Sequence, residues 1–323
     1  MSKRRINKKQ SARIEKIQHN YHISKEQDDN LADGLVISRF SKHVEIEDSN
    51  GALVRCSIRP NLETLVAGDR IIWQKENNNQ GVVVSLYPRR NILAKPTSGE
   101  LSKPVAANIT QLIIVITSKP ELSWSLLDSY LVMAETLNLH AVILLNKTDL
   151  SCFSLKKRLL TDYQNLNYPI LFISKDTASG MIKLKKILDH QVSVFVGQSG
   201  VGKSSLISRL VPHEQNIAIG TLSEISALGK HTTSNSKYYH LPSGGALIDS
   251  PGVREFSLWH MDITEIAWGY TEFRPYLSQC KFRNCTHKNT PHCAIIKAKH
   301  EGFISVRRYE NFNKLCAQYI KKS

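Results

Sequence analysis

Residues 197–205, GQSGVGKSS, match the pattern GxxxxGK[ST] and lie between an apolar run, VSVFV, and a helix-forming run, LISRL. In such a loop the glycines let backbone amides surround phosphate groups, the lysine contacts the β- and γ-phosphates, and the next hydroxyl ligates magnesium. A strand, a glycine-rich loop and a helix in this order indicate a nucleotide-binding α/β domain. The predicted nucleotide-binding residues are Gly197, Gln198, Ser199, Gly200, Val201, Gly202, Lys203, Ser204 and Ser205, with Ser204 on the magnesium ion.

A second loop indicates that the nucleotide carries guanine. Asn146, Lys147, Thr148 and Asp149 form an NKxD sequence directly after the apolar run AVILL. A carboxylate at Asp149 can accept hydrogen bonds from the ring N–H and the exocyclic amine of guanine, whereas adenine offers an acceptor and no amine there. The stem of Lys147 can pack along the base, and Asn146 can tie this loop to the phosphate loop. The sequence therefore predicts binding of GTP rather than ATP.

Two segments after the phosphate loop are predicted to contact magnesium and the γ-phosphate. Asp249 and Gly252 belong to a DxPG sequence that follows the apolar run GGALI. In such a sequence the aspartate holds magnesium through water, and the glycine amide can sense the γ-phosphate. The segment GKHTT, at 229–233, lies between the two loops, and Thr233, or alternatively Thr232, is predicted to complete the magnesium coordination.

The order of the loops along the chain indicates a circular permutation. The guanine loop and a second base-contacting segment, Ser174 and Lys175 after the strand PILF, precede the phosphate loop instead of following it. Loops at the carboxyl ends of parallel strands can form one pocket whichever loop comes first. In this order the DxPG sequence leads into the C-terminal residues, so hydrolysis is expected to move them.

The remaining sequence predicts smaller domains on either side of a central one. The 323 residues contain 43 Lys and Arg against 28 Asp and Glu, and the resulting charge of +15 favours a nucleic-acid partner. Short alternating strands between Leu35 and Tyr87 are typical of a small barrel, either an OB-fold or an SH3-like barrel. We predict a multidomain α/β protein with a basic flexible arm at 1–30, an OB-like RNA-binding barrel at 31–95, a permuted P-loop GTPase domain at 96–260 and a small zinc-binding helical domain at 261–323.

Cysteine and histidine residues cluster near the C-terminus. Cys280, Cys285, His287 and Cys293 have a spacing that suits a tetrahedral Cys₃His zinc site. Four protein ligands leave no open position, so the predicted zinc is structural and stabilises a domain with little core of its own. His292 is an alternative fourth ligand, and free reduced cysteines are the alternative to a metal site.

Six motifs together resemble the RsgA family of bacterial ribosome-biogenesis GTPases. They are KPVAAN at 103–108, NKTDL at 146–150, GQSGVGKSSL at 197–206, GKHTT at 229–233, LIDSPGVREF at 247–256 and CKFRNCTHKNTPHC at 280–293. The resemblance covers nearly the whole chain. It implies an N-terminal OB-fold, a central permuted GTPase and a C-terminal zinc domain. It also implies binding to the maturing small ribosomal subunit and its 16S rRNA, and GTP hydrolysis stimulated by that subunit.

The resemblance also implies a catalytic role for His231. Val253 follows Gly252 and cannot orient a water molecule through a hydrogen bond, so intrinsic hydrolysis should be slow. By resemblance, His231 orients or deprotonates the attacking water when the ribosome orders its segment, and a histidine has suitable chemistry for that step. A mobile surface histidine is the alternative.

Two other functions and several general properties follow from the sequence. A P-loop ATPase or kinase with an accidental NKxD, or a non-catalytic RNA-binding protein with a structural nucleotide, would share the phosphate loop. No apolar run reaches the roughly 18 residues of a membrane span, and no signal-peptide core follows the basic start. A cytoplasmic monomer without membrane contact is therefore expected.

Overall fold

The computed structural model describes residues 21, 28–60, 62–76, 80–95, 102–174, 178–212, 236–249 and 261–320. The strands described are β1 (Leu31–Arg39), β2 (His43–Asp48), β3 (Leu53–Ile58), β4 (Arg70–Glu76), β5 (Gln80–Leu86), β6 (Ile92–Lys95), β7 (Lys103–Ala107), β8 (Gln111–Ile116), β9 (His140–Leu145), β10 (Ile170–Phe172), β11 (Val192–Val196), β12 (Lys237–His240) and β13 (Ala246–Asp249). The α-helices described are α1 (Trp124–Thr136), α2 (Phe153–Tyr163), α3 (Ala178–Leu188), α4 (Lys203–Leu210), α5 (Ile263–Gly269), α6 (Arg274–Leu277), α7 (Ala294–His300) and α8 (Val306–Ile320). Short 3₁₀ helices lie at Gln164–Leu166 and Thr271–Phe273.

The first five strands form a closed barrel. Neighbouring strands follow the order β1, β2, β3, β5, β4, and β4 pairs again with β1. The β3–β5 pair is parallel and the other pairs within the barrel are antiparallel. Alternate side chains fill the interior, including Val44 and Ile46 on β2 and Val54 and Cys56 on β3. This closed five-stranded arrangement is that of the OB-fold, which the sequence alone could not separate from an SH3-like barrel.

A second group of strands forms the doubly wound sheet that carries the predicted nucleotide site. Its order is β10, β9, β8, β11, β13, β12, and all neighbours pair in parallel except β12, which is antiparallel to β13. The central strands β8 and β9 read as near-continuous apolar runs because both faces of the sheet are covered. The loops after β8, β9, β10, β11 and β13 therefore share one edge of the sheet.

The KPVAAN motif lies where the barrel meets this sheet. The Asn108 side chain donates to the Gly68 carbonyl oxygen over 2.9 Å and accepts from the Arg90 backbone amide at the same distance. Gly68 has φ +90°, and a Cβ there would lie 2.3 Å from the Ala107 carbonyl oxygen. Only glycine fits so close an approach of two backbones. Strands β1 and β12 pair at Ser38 and Lys237, which makes the barrel and the sheet continuous.

The C-terminal helices pack on one face of the sheet. Phe273, Ile295 and Phe312 belong to the same apolar cluster as Leu131 of α1 and Ile143 of β9. Within the described ranges, no helix is long and apolar enough to cross a membrane.

Two elements escaped sequence prediction. Strands β6 and β7 form a separate antiparallel hairpin, so the proposed boundary at 95/96 falls between its two strands. Strand β12, KYYH, has one half-buried and one buried tyrosine between two polar residues, so it lacks the apolar run that revealed its neighbours. The proposed basic arm at 1–30 lies mostly outside the described residues.

Candidate nucleotide-binding site and metal cluster

Three glycines with positive φ shape the phosphate loop between β11 and α4. The φ angles are +138° at Gly197, +79° at Gly200 and +95° at Gly202, values that favour glycine. A Cβ would lie 2.1 Å from the Val115 carbonyl oxygen at Gly197 and 2.4 Å from Asn146 Nδ2 at Gly202. The loop conformation therefore requires two of these glycines for space as well as for backbone angle.

Lys203 and Ser204 begin α4 at the inner end of this loop. The Lys203 ammonium donates to the carbonyl oxygens of Gly197 and Gln198 over 2.7 and 2.6 Å, so it lies within the curve of the loop. Gly202 caps the helix, and the first amides of α4 lack partners within the helix. A helix N-terminus and a lysine at one point favour an anion such as a phosphate group. Ser204 is half-buried beside Lys203, whereas Ser199 and Ser205 are exposed.

The guanine loop is bonded directly to the phosphate loop. Asn146 Nδ2 donates to the Val201 carbonyl oxygen over 2.9 Å, and Lys147 Nζ donates to the Gly200 carbonyl oxygen over 2.7 Å. Asn146 is buried, and Lys147 adopts φ +56°, which is uncommon for a residue with a side chain. Backbone strain at such a loop is typical of binding sites.

Asp149 and Ser174 lie next to each other beyond this junction. The Ser174 hydroxyl donates to Asp149 Oδ1 over 3.3 Å, and the Thr148 amide donates to the Ile173 carbonyl oxygen over 3.0 Å. Asp149 is exposed, so its carboxylate is accessible to a ligand. The loops after β9, β10 and β11 thus form one continuous surface, with the phosphate loop at one end and Asp149 at the other.

Asp249 ends β13, the strand beside β11. Ile248 pairs with Val194, so Asp249 lies at the same edge of the sheet as the phosphate loop. The other predicted site residues, Lys175, His231, Thr232, Thr233 and Gly252, lie outside the described residues.

Gln198 makes contacts that the sequence did not reveal. Its Oε1 accepts from the Ser123 backbone amide over 3.0 Å, and its Nε2 donates to the Glu121 carbonyl oxygen over 3.1 Å. The phosphate loop is therefore bonded to the segment before α1. A variable position of the loop pattern gives no sequence signal for such a contact.

The four predicted zinc ligands meet in the C-terminal region. One ligand atom each from Cys280, Cys285, His287 and Cys293 lie within 4.8 Å of one another. His287 Nδ1 is 3.6 Å from Cys280 Sγ and 3.5 Å from Cys293 Sγ. His292 is exposed and does not belong to this group, so the geometry favours His287 as the imidazole ligand. Three sulfurs and one ring nitrogen fit a closed tetrahedral zinc site.

The surroundings of the cluster favour a neutral imidazole at His287 and a protonated thiol at Cys293. Burial lowers the pKa of His287, which keeps its ring neutral as a ligand must be. Burial also raises the pKa of the Cys293 thiol to about 12, so a metal ion would have to displace its proton. The Tyr309 hydroxyl of α8 donates to the His287 carbonyl oxygen over 2.8 Å and fixes this loop against the helix.

A guanine loop that precedes a phosphate loop, both at the carboxyl edge of one doubly wound sheet, defines a circularly permuted GTPase. Solved structures have this fold. A YjeQ structure from Thermotoga maritima superposes with a TM-score of 0.73 at 30% identity, over 91% of this chain and 100% of that one. A structure described as YloQ, a circularly permuted GTPase, gives a TM-score of 0.72 over 91% of this chain and 97% of that one, and at 24% identity it supports the fold alone.

The chain belongs to the RsgA GTPase family, whose model matches residues 86–259. A small ribosomal subunit biogenesis GTPase RsgA from Actinobacillus pleuropneumoniae is 45% identical over 98% of this chain and 95% of its own length. A relative with the same description, RsgA 1 from Vibrio vulnificus, is 47% identical over 87% of this chain and 82% of its own. The resemblance drawn from the six motifs is confirmed.

Proposed function

We propose that this chain binds GTP and hydrolyses it to GDP and phosphate during late maturation of the small ribosomal subunit, with stimulation by that subunit. The junction of Asn146 and Lys147 with the phosphate loop carries the nucleotide part of the proposal, because it joins a base-reading loop to a phosphate-binding loop. The names of the relatives support the ribosomal part.

The proposed roles in nucleotide binding follow the surface described above. Asp149 accepts hydrogen bonds from guanine, and Ser174, already bonded to Asp149, orients its carboxylate. Backbone amides of 197–205 contact the phosphates, and Lys203 neutralises the β- and γ-phosphates. The Lys147 stem lies along the base, and Lys175 contributes a backbone amide to the guanine oxygen.

A magnesium ion fits the donors at the inner end of the phosphate loop. Ser204 offers a hydroxyl at the first turn of α4, and Asp249 offers a carboxylate on the strand beside β11. Hard oxygen donors of this kind suit magnesium. We assign Ser204 and Thr233, with Thr232 as the alternative, to direct coordination, Asp249 to a contact through water, and Gly252 to the γ-phosphate. When bound, the ion neutralises charge that develops on the phosphate oxygens.

We assign His231 to the attacking water. A neutral imidazole can orient that water or accept its proton during attack on the γ-phosphate. The subunit is proposed to accelerate turnover by holding His231 at the attacking water.

The outer surface of the barrel offers a place for 16S rRNA. Phe40, 41% exposed between β1 and β2, stacks on His43 with 5.2 Å between ring centroids, and Arg55 donates to His43 Nδ1 over 3.2 Å. Lys42 is exposed beside them. An aromatic stack with adjacent cations suits an unpaired base and its phosphate. OB-folds use the connection between their first two strands for such contacts.

The metal-binding loop, residues 280–293, offers a second basic and aromatic surface. Phe282 is 43% exposed between Cys280 and Cys285, and the Lys281 ammonium lies 5.7 Å from its ring centroid. Arg283 and Lys288 are also exposed there. The structural zinc would hold these side chains in place for contact with rRNA. We propose that the protein works in this way as a cytoplasmic monomer.

Steady-state phosphate release from GTP and from ATP, with and without purified small subunits, tests the proposal. We expect slow release from GTP, a large acceleration by subunits, and negligible release from ATP. Comparable turnover of ATP would favour the P-loop ATPase alternative, and no turnover with either nucleotide would favour the non-catalytic alternative. Phe40→Ala should weaken the acceleration, whereas Phe153→Ala, which removes an exposed ring on α2, outside the barrel, should not.

A further inference from the structure

The side chain of Gln198 joins the phosphate loop to the segment before α1 by hydrogen bonds. One amide group accepts from the Ser123 amide and donates to the Glu121 carbonyl oxygen, over 3.0 and 3.1 Å. The same segment also packs beside Gly200, since a Cβ at that glycine would lie 3.7 Å from Pro120 Cδ. A carboxamide on a two-carbon stem carries both the acceptor oxygen and the donor nitrogen that these two bonds require.

The segment held by Gln198 leads directly into α1, which is itself fastened to the C-terminal helices. Ser123 is the N-cap residue of α1. One turn further on, Asp128 is fully buried and accepts from Arg308 of α8 over 2.6 Å and from Asn311 of α8 over 2.7 Å. The Tyr163 hydroxyl also donates to Asp128 over 2.7 Å.

The partners of Arg308 make this attachment stiff. Burial opposes its charge, but Asp128 and Glu272 hold the pKa of the guanidinium well above its ordinary value, so it stays charged. Removing one partner of a buried ion pair leaves the other charge unpaired and is strongly destabilising, so the pair holds one arrangement. Near the other end of α1, Glu135 accepts from Arg274 over 2.6 Å. Two ion pairs, at Asp128 and at Glu135, thus join α1 to the C-terminal helices.

We propose that Gln198 is a positioning residue that couples the phosphate loop, through α1, to α8 and the metal-binding loop. Nucleotide phosphates that displace the loop would also displace Ser123. Through α1, this movement would reach the Asp128–Arg308 pair. If nucleotide binding changes the affinity of the C-terminal helices for a partner by some factor, then by thermodynamic reciprocity that partner changes the affinity for nucleotide by the same factor. This route uses described contacts and is independent of the DxPG connection predicted from the sequence. It rests on the nucleotide site proposed above.

Gln198→Ala removes both bonds and leaves the backbone of the loop intact. Gln198→Glu keeps the stem and an acceptor for Ser123 but cannot donate to Glu121 when ionised. Gln164→Ala, at an exposed position after α2, is the matched control. Hydrogen exchange of the amides in 306–320 is followed in the full-length protein with and without saturating GDP, and GDP affinity is measured separately for each variant.

In the wild type, GDP should slow exchange in 306–320 by at least about threefold. Gln198→Ala should bind GDP about three- to tenfold more weakly than the wild type, and it should lose the slowing of exchange even when saturated with GDP. Gln198→Glu should give values between those of Gln198→Ala and the wild type. Gln164→Ala should match the wild type in both measurements. Equal slowing in saturated Gln198→Ala, or none in the wild type, would overturn the proposal. Absence of GDP binding by the wild type would instead reject the nucleotide site itself.

Discussion

Asn146 Nδ2 donates to the Val201 carbonyl oxygen over 2.9 Å, and this buried bond joins the loop after β9 to the phosphate loop after β11. The two residues are far apart in sequence, and the bond exists because adjacent loops meet at the carboxyl edge of a parallel sheet. It fixes the distance between the proposed base site and the proposed phosphate site.

Asn146→Ala should weaken GDP binding about 5- to 150-fold, because a buried carbonyl that loses its partner costs about 1–3 kcal/mol. Asn165→Ala, at an exposed position in the 3₁₀ helix after α2, is the matched control. Isothermal titration calorimetry measures both. Equal GDP affinity in Asn146→Ala and wild type would show that the junction does not organise the site.

Gly202→Ala should lower GDP affinity about 5- to 150-fold, because the new Cβ must displace Asn146 and overpacking costs about 1–3 kcal/mol. Gly302→Ala tests backbone strain alone, since Gly302 has a similar φ of +82° but no heavy atom within 4 Å of its added Cβ. That control should lose about 1–2 kcal/mol of unfolding free energy and keep its GDP affinity. If both variants bound GDP normally, close contact at Gly202 would not matter for the site.

Asp149→Asn should reverse the choice of base. An amide can donate to the oxygen that xanthine carries in place of the guanine amine, whereas it cannot accept both guanine hydrogen bonds. We expect GDP affinity to fall about 100-fold and xanthosine diphosphate affinity to rise, as measured by displacement of a fluorescent nucleotide. Asp29→Asn, an exposed aspartate near the barrel, should change neither value. Unchanged discrimination in Asp149→Asn would remove Asp149 from the base site.

Cys293→Ser should abolish stoichiometric zinc, because the serine hydroxyl is a poor substitute for a thiolate in a Cys₃His set. Cys316→Ser changes another buried cysteine of the same region that lies outside the cluster. Metal analysis of the purified proteins should find about one zinc per chain in the wild type and in Cys316→Ser. Zinc retained by Cys293→Ser, or absent from the folded wild type, would reject the site.

The parts of the molecule that could be predicted from the sequence are those in which a short run of residues determines a local structure. The phosphate loop, the guanine loop and the cysteine spacing are such patterns, and the order of the loops predicted the permuted sheet. The barrel was predicted from short alternating strands, but its type needed the observed pairing of β3 with β5. Strand pairing between distant segments leaves no mark in hydrophobic periodicity.

Contacts between distant polar side chains could not be predicted from one sequence. Asp128 and Arg308 look like ordinary surface charges of amphipathic helices, yet both are fully buried and paired. Gln198 occupies a position that the loop pattern leaves variable, and its partners are backbone groups of a segment far away in sequence. Such pairs become visible only when the fold brings their elements together.

Titration of the purified wild-type protein with GDP and with ADP, under identical magnesium and salt concentrations, tests whether the site binds guanine nucleotides selectively. The joined loops and the accessible Asp149 carboxylate predict one GDP site per chain and an affinity for GDP at least about 100-fold above that for ADP. Equal affinity for the two nucleotides, or binding of neither, would contradict a guanine-nucleotide site at this edge of the sheet.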